Sequence, residues 1–473
     1  MRYISTRGEA SELTFEEATL AGLARDGGLY VPKSWPTLDK QNIQDLSHLS
    51  YADVAVKVLA PFVAGSLSTD ELAEFCKSAY ATFDTPDVAP LRQIGSNDWV
   101  LELFHGPTLA FKDVAMQFLA RLIDQLLARR GKRVTIVGAT SGDTGAAAVK
   151  AFAGLPSVDV FMLHPKGRVS DVQRCQMTTV LDRNIHNIAV EGTFDDCQTI
   201  VKKLFQDLEF RDQYALSGVN SINWARVVAQ AVYYFTAATA LGGPQQAVAF
   251  SVPTGNFGDI YAGYIARQMG LPLARLMIAT NVNDILVRTL ESGRYELHKV
   301  MATQSPSMDI QIASNFERLL FDVLDRDPDR IRGLMSDLSS KGRFELDTDA
   351  LERIRALFAA GRCSEEQTRA TIKTVYRESK YIVDPHTAVG INVARDLRNR
   401  GDIDDTIPLV SLSTAHPAKF PDAIEQAIGV RPALPDHMSD LLEREERCAV
   451  LPNDAGEVAR FVASQATAAG ANA

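Results

Sequence analysis

The sequence predicts an α/β protein: two open lobes with parallel-type sheets, preceded by an N-terminal lobe. Three observations predict it. The chain has 473 residues, more than one hydrophobic core usually holds. From about residue 96, short apolar runs rich in β-branched residues alternate with stretches of helical length, the pattern of a parallel sheet covered on both faces. The composition, 46% hydrophobic and 23% charged, is that of an ordinary soluble globular chain. In such sheets ligands collect beyond the carboxyl ends of the strands, so the segments that follow strands are the ones to search for chemistry.

The elements follow in order. Thr14 with Glu17 three residues on is a capping-box pattern, so a helix is expected to Leu23. Asp26-Gly27-Gly28 is a turn before the extended run Leu29-Tyr30-Val31, and helices are expected over 51–62 and 68–83. This N-terminal lobe, residues 1–95, shows no chemistry. Trp99 to Phe104 reads as a strand. His105-Gly106-Pro107 is a turn, and Val114, Phe118, Leu122 and Leu126 recur every four positions on a helix over 113–130. Strands at 133–137, 158–163, 185–190, 247–252 and 407–412 alternate with helices at 146–152, 194–205 and 260–269, and with a buried helix at 227–241. Residues 285–375 are more helical and more charged, and read as an insertion within a region that spans 96–435. Residues 436–473 read as a peripheral segment with a frayed tail from Ala466.

Composition excludes several classes. A net charge of −10 gives no nucleic-acid footprint, although a local basic pocket can still draw an anion. Five cysteines, none close to another in sequence, suggest neither a disulfide framework nor a metal site, so free thiols in a cytoplasmic setting are expected. No apolar run resembles a signal peptide or a membrane span.

Five stretches carry chemistry. Lys112 lies in apolar company (Leu109, Ala110, Phe111, Val114) where a loop meets a helix. A helix N-terminus and apolar surroundings both disfavour an ammonium, which leaves an amine able to attack a carbonyl. The same lysine could otherwise be a surface residue covering its neighbours. Ala139-Thr140-Ser141-Gly142-Asp143-Thr144-Gly145 joins a strand to an Ala-rich helix and suits a carboxylate or phosphate, or is simply a capped turn. It lacks the Gly-Lys-Ser/Thr ending of a P-loop. Pro253-Thr254-Gly255-Asn256-Phe257-Gly258-Asp259 is a second such turn, whose glycines let successive N–H groups converge on one phosphate. Ser413 or Thr414 ends the strand at 407–412 and offers a hydroxyl. Asn220-Ser221-Ile222-Asn223-Trp224-Ala225-Arg226 gathers two amides, a hydroxyl and a guanidinium, a set able to hold a further anion or to cap a solvated helix. An amine, a phosphate cradle and a group for a ring nitrogen are what a phosphorylated aldehyde cofactor requires.

Phe-Lys-Asp at 111–113, Thr-Ser-Gly-Asp-Thr-Gly at 140–145, Pro-Thr-Gly-Asn-Phe-Gly-Asp at 253–259 and Ser-Thr-Ala-His-Pro-Ala-Lys-Phe at 413–420 resemble the threonine synthases, in the longer form found in bacteria and yeast. The resemblance extends to Asp26-Gly27-Gly28-Leu29-Tyr30-Val31-Pro32, to Ser307-Met308-Asp309-Ile310 and to Ser314-Asn315-Phe316-Glu317-Arg318. It implies a pyridoxal-phosphate enzyme of the tryptophan-synthase-β-like fold, fold type II. It implies that Lys112 is the Schiff-base lysine and then an acid and base. Gly255, Asn256, Phe257, Gly258 and Asp259 would surround the cofactor phosphate, and Thr414 would meet the ring nitrogen. Ser141, Gly142, Asp143 and Thr144 would receive the substrate carboxylate or face the ring. Asn220, Ser221, Asn223 and Arg226 would bind the substrate phosphate, with Lys166 and Arg168 as helpers. No metal is implied.

The implied reaction takes O-phospho-L-homoserine and water to L-threonine and phosphate by β,γ-elimination and water addition, the last step of threonine biosynthesis, in a cytoplasmic monomer or homodimer. The alternative is a serine/threonine dehydratase or β-replacement enzyme of the same fold. A non-catalytic relative that binds an amino acid or phosphate is the remaining one, and the intact Lys112 speaks against it.

Overall fold

The structure is a computed structural model and describes residues 1–467, so the part of the expected frayed tail that runs from 468 to 473 lies outside the described residues. The chain forms two compact units. One comprises residues 1–105 and 221–432, the other residues 106–220 and those from 433 onward.

The first unit is built on a six-stranded sheet. Its order is Phe358–Arg362, Leu273–Thr280, Val248–Pro253, Leu409–Ser413, Asp98–Glu102, Leu91–Gln93. All neighbours are parallel except the last pair. The pairing of Ser411 with Ser251 sets Ser413 and Pro253 at the carboxyl ends of adjacent strands. The helix Pro385–Asn399 is enclosed on both sides. Val389, Val393 and Leu397 pack on Ala249, Met277 and Ala279, while Ala388 and Ile391 pack on Val100, Ile372 and Val375. Each fully buried valine, isoleucine or methionine among these stabilises the fold by about 1.5–3 kcal/mol.

The second unit holds a five-stranded, wholly parallel sheet, ordered Ala449–Pro452, Ile185–Glu191, Val158–Pro165, Val134–Ala139, Leu216–Ser217. The strand Val158–Pro165 is buried throughout, Asp159 and His164 included, as a central strand covered on both faces requires.

Most expected elements are present, with boundaries moved by one to three residues. The capping box of Thr14 and Glu17 is formed. Four readings need correction. Residues 227–241 are not one helix: Trp224–Ala229 and Ala231–Ala240 meet at Gln230. The stretch 285–375 is not a pure insertion, because Phe358–Arg362 is the edge strand of the six-stranded sheet. The segment after 435 is not peripheral. Its strand Ala449–Pro452 joins the five-stranded sheet, and Val458 and Val462 are buried with Ile188, Val190 and Ile200. The expected boundary at 95 does not separate units, since residues 1–105 share one unit with residues 221–432, whereas the chain passes to the second unit after residue 432, close to the expected boundary at 435.

Candidate active site

In the second unit, Lys112 is the first residue of the helix Lys112–Arg129 and is buried, with its side chain 8% exposed. The loop before it is fastened locally. Asp113 accepts from the Thr108 N–H and from its hydroxyl, both at 2.7 Å, and Gln176 donates to the Thr108 carbonyl at 3.1 Å. Gly106 is required here: a Cβ would lie 2.4 Å from that of Asp113. The Lys112 Nζ donates to Asp143 Oδ2 at 3.3 Å, and Asp143 Oδ1 accepts from Gln173 at 2.8 Å. An opposite charge at this distance favours the ammonium, against the push of burial and helix terminus expected from sequence.

The turn at 140–145 is therefore only partly open to a ligand. Asp143, expected to bind substrate, instead orients Lys112, because a carboxylate has the wrong sign for a substrate carboxylate. The Gly142 N–H, expected in the same role, is spent on Thr140 Oγ1 at 3.0 Å. The exposed Ser141 and half-buried Thr144 keep the expected position at the start of the helix Asp143–Phe152. Lys166 pairs with Glu191 on the surface, and Arg168 is exposed.

In the first unit, the turn at 253–259 leads into the helix Gly258–Gln268. The N–H groups of Gly258, Asp259 and Ile260 precede the first backbone bond of that helix, from Tyr261 to Phe257, which marks an anion-binding terminus. A Cβ on Gly255 would lie 2.6 Å from the Ser307 carbonyl, so only glycine permits this approach. Asn256 is exposed. Phe257 has φ +65 and buries its ring against Phe316 and Phe358, so only its backbone can face a phosphate. The Asp259 carboxylate, which a phosphate would repel, turns inward and accepts from the Tyr233 and Tyr234 hydroxyls. Those two expected side-chain roles are corrected to backbone ones. Asn315 braces the turn from behind, donating to the carbonyls of Asn256 and Ser221 at 3.0 and 3.1 Å.

At the adjacent strand end, Ser413 and Thr414 are both buried. Ser413 Oγ lies 3.1 Å from Thr387 Oγ1, whereas the Thr414 hydroxyl has no hydrogen-bond partner among the described residues. Of the two, Thr414 is the hydroxyl left for a ligand.

Asn223 is not available as a ligand. It caps the helix Trp224–Ala229 through the Ala225 N–H at 3.0 Å and donates to the Thr19 carbonyl at 2.8 Å. Asn220 is exposed at the edge of the second unit, and Ser221 is half-buried in the first. Arg226 is different: it is 4% exposed, and its Nη1 is buried with no partner. Burial alone pushes its pKa down to about 10, and no carboxylate counters that among the described residues. A buried guanidinium without a counter-ion is costly unless an anion arrives.

Sequence reasoning missed a polar cluster behind the two strand ends. His105 bridges Asp84 and Glu102 at 2.8 and 2.9 Å, and Tyr381 donates to Glu102 at 2.7 Å. Asp384, His386 and Thr387 form a second group. Asp384-Pro385 was the available signal, a capping residue followed by a first-turn proline.

In the second unit, the buried Lys112 amine is of the kind that meets the aldehyde of pyridoxal phosphate; in the first unit, the glycine turn with its helix terminus suits the phosphate and the Thr414 hydroxyl suits the ring nitrogen. Comparison with known proteins agrees. The family model for pyridoxal-phosphate dependent enzymes matches residues 85–414, that for the threonine synthase N terminus residues 2–80, and that for the threonine synthase C-terminal region residues 387–462. A threonine synthase of Pseudomonas aeruginosa is 53% identical over 98% of both chains. The crystal structure of pyridoxal-phosphate-bound threonine synthase from Brucella melitensis superposes with a TM-score of 0.96 at 54% identity, covering 99% of this chain and 100% of that one. The yeast threonine synthase structure gives 0.94 at 41% identity, over 98% of each chain.

Proposed function

The chain belongs to the threonine synthase family of pyridoxal-phosphate-dependent lyases, with the fold-type II architecture of that family, and from this premise we propose that its substrate is O-phospho-L-homoserine. The products are L-threonine and phosphate, formed by β,γ-elimination and addition of water at Cβ. The observation that carries the substrate is Arg226, enclosed with no counter-ion among the described residues. A phosphate ester supplies the missing charge and matches the guanidinium fork. A dehydratase acting on serine or threonine has no use for such a group.

Pyridoxal phosphate, when bound, supplies the electron sink that lets the substrate Cα proton leave. The chain's own residues bind, orient and move protons. Lys112 is the amine that meets the cofactor aldehyde at rest. Its Nζ then takes the Cα proton and returns one at the end. Asp143, held by Gln173, keeps that Nζ in place. The N–H groups of the turn Gly255 to Asp259 hold the cofactor phosphate, and Thr414 serves the ring nitrogen. Ser141 and Thr144 receive the substrate carboxylate. Arg226, with Ser221 and Asn220, holds the substrate phosphate until it departs.

On this reading the reaction is the last step of threonine biosynthesis, and we propose a cytoplasmic monomer or homodimer. All five cysteines are free thiols, which suits a reducing compartment. No helix among the described residues is long and apolar enough to cross a membrane.

The test is to mix the protein, pyridoxal phosphate and O-phospho-L-homoserine, then assay amino acids and phosphate together. Threonine and phosphate in equal amounts, both lost in Lys112→Ala, are expected. Phosphate with 2-oxobutyrate in place of threonine would overturn the water-addition step.

A further inference from the structure

The helix Pro385–Asn399 begins at a fully buried carboxylate, Asp384. Its Oδ1 accepts from the Thr387 N–H at 3.1 Å and from the Thr387 hydroxyl. Its Oδ2 accepts from the His386 N–H at 2.9 Å and lies 2.7 Å from His386 Nδ1. A helix cap needs only the two backbone bonds. The imidazole and hydroxyl are an addition, and each continues outward.

His386 Nε2 lies 3.3 Å from the Ser307 backbone nitrogen. A backbone N–H can only donate, so Nε2 is the acceptor, and the ring proton sits on Nδ1, given to Asp384. Ser307 is the residue whose carbonyl leaves no room for a Cβ on Gly255. The other branch runs from Thr387 to Ser413. The Thr387 hydroxyl proton goes to Asp384, so Ser413 donates to Thr387, at 3.1 Å. Ser413 immediately precedes Thr414.

We propose that Asp384 is a positioning residue that sets two contact points of the cofactor from one buried carboxylate: through His386 and Ser307 it fixes the glycine turn, and through Thr387 and Ser413 it fixes the Thr414 hydroxyl. The proposal rests on the reading that the turn at 255–259 and Thr414 hold pyridoxal phosphate. Capping alone would bind the helix start; the two branches tie that start to separate loops at adjacent strand ends, as a pre-organised site requires.

The two branches predict separable effects. His386→Leu removes the acceptor for Ser307. Its affinity for pyridoxal phosphate, titrated by visible absorbance, falls about tenfold, and the phosphorus resonance of the bound cofactor shifts. His386→Gln, which restores an acceptor, recovers affinity to within about threefold. Thr387→Val keeps the phosphorus resonance and changes the ratio of the visible absorption bands, which report on the ring. Parent affinity and resonance in His386→Leu, or an unchanged band ratio in Thr387→Val, overturns the branch concerned. Should His386→Leu not fold, long-range nitrogen–proton spectra of the parent holoprotein decide. A protonated Nε2 on His386 overturns the phosphate branch, and an Nδ1–H tautomer supports it. Gly255→Val is measured alongside. If it too leaves cofactor affinity and resonance at parent values, the cofactor-site reading has failed. If only the His386 and Thr387 variants do so, the present inference alone has failed.

Discussion

Arg226 and Arg318 lie in the same unit, both enclosed, and burial drives the pKa of each down to about 10. Their surroundings could hardly differ more. Arg318 donates to the carbonyls of Tyr30 and Ile222 at 3.0 and 2.6 Å and to the Asn315 side chain, and its guanidinium lies 5.7 Å from the Trp224 ring. It staples the strand Tyr30–Pro32 to the brace of the glycine turn. Arg226 has an orphaned Nη1 and no neighbouring carboxylate among the described residues. The same side chain at similar depth thus serves structure in one place and, on the proposed reading, receives an anion in the other. Burial does not separate them; only the account of hydrogen-bond partners does.

That contrast breaks most clearly on stability. Arg318→Met leaves two buried carbonyls unpaired, and we expect a loss of about 3 kcal/mol, at roughly 1–3 kcal/mol for each orphaned group. Arg226→Met removes an uncompensated buried charge, so its effect on stability should lie within about 1 kcal/mol of zero or be favourable. Its cost falls on the substrate, as a rise in KM for O-phospho-L-homoserine of about 100-fold, or 2.7 kcal/mol. Urea midpoints with unchanged slopes, measured beside KM, decide between them. Equal destabilisation by the two variants would dissolve the distinction.

A ligand titration sharpens the same contrast. Inorganic phosphate, by binding the folded state, should stabilise the parent by about 2.7 kcal/mol at 100 times its Kd. Arg226→Met should lose that increment. A melting temperature that still climbs with phosphate in this variant would place the anion elsewhere.

The sequence made the fold and the ligand-facing stretches legible because both leave local marks. Periodicity marks the strands and helices, and Gly255, with its helix start three residues on, marks an anion turn. It could not say which way side chains face. Asp143, Asp259 and Asn223 are polar residues inside the right motifs, yet their partners are Lys112, the Tyr233 and Tyr234 hydroxyls and the Thr19 carbonyl. Every one of those partners lies 25 or more residues away in sequence, and no spacing rule encodes them. The strand Ala449–Pro452 was missed for a related reason: a four-residue edge strand shows no period of its own, and its pairing with Ile185–Glu191 is entirely non-local.

Lys112 is a further buried cation, enclosed like the two arginines, with the Asp143 carboxylate 3.3 Å from its Nζ. If Asp143 orients the amine, Asp143→Asn should keep the protein folded and lower turnover about tenfold, or 1.4 kcal/mol. Loss confined to KM would instead return Asp143 to substrate binding.

The smallest effect belongs to His105, a cation provided with partners on both sides. Burial opposes its charge, but the hydrogen bond it donates to Glu102 and the nearby Asp84 carboxylate outweigh it and raise its pKa above the usual histidine value. A raised folded-state pKa means that the charged form stabilises the fold below the unfolded pKa, near 6.5, and that this contribution is lost as pH rises through the folded value. His105→Gln should therefore cost about 1 kcal/mol at pH 6 and progressively less above neutrality. A parent-minus-variant stability difference that is flat across that range would show that His105 is held by packing against Phe104, whose ring stacks on it at 5.0 Å, and that its two carboxylates add nothing.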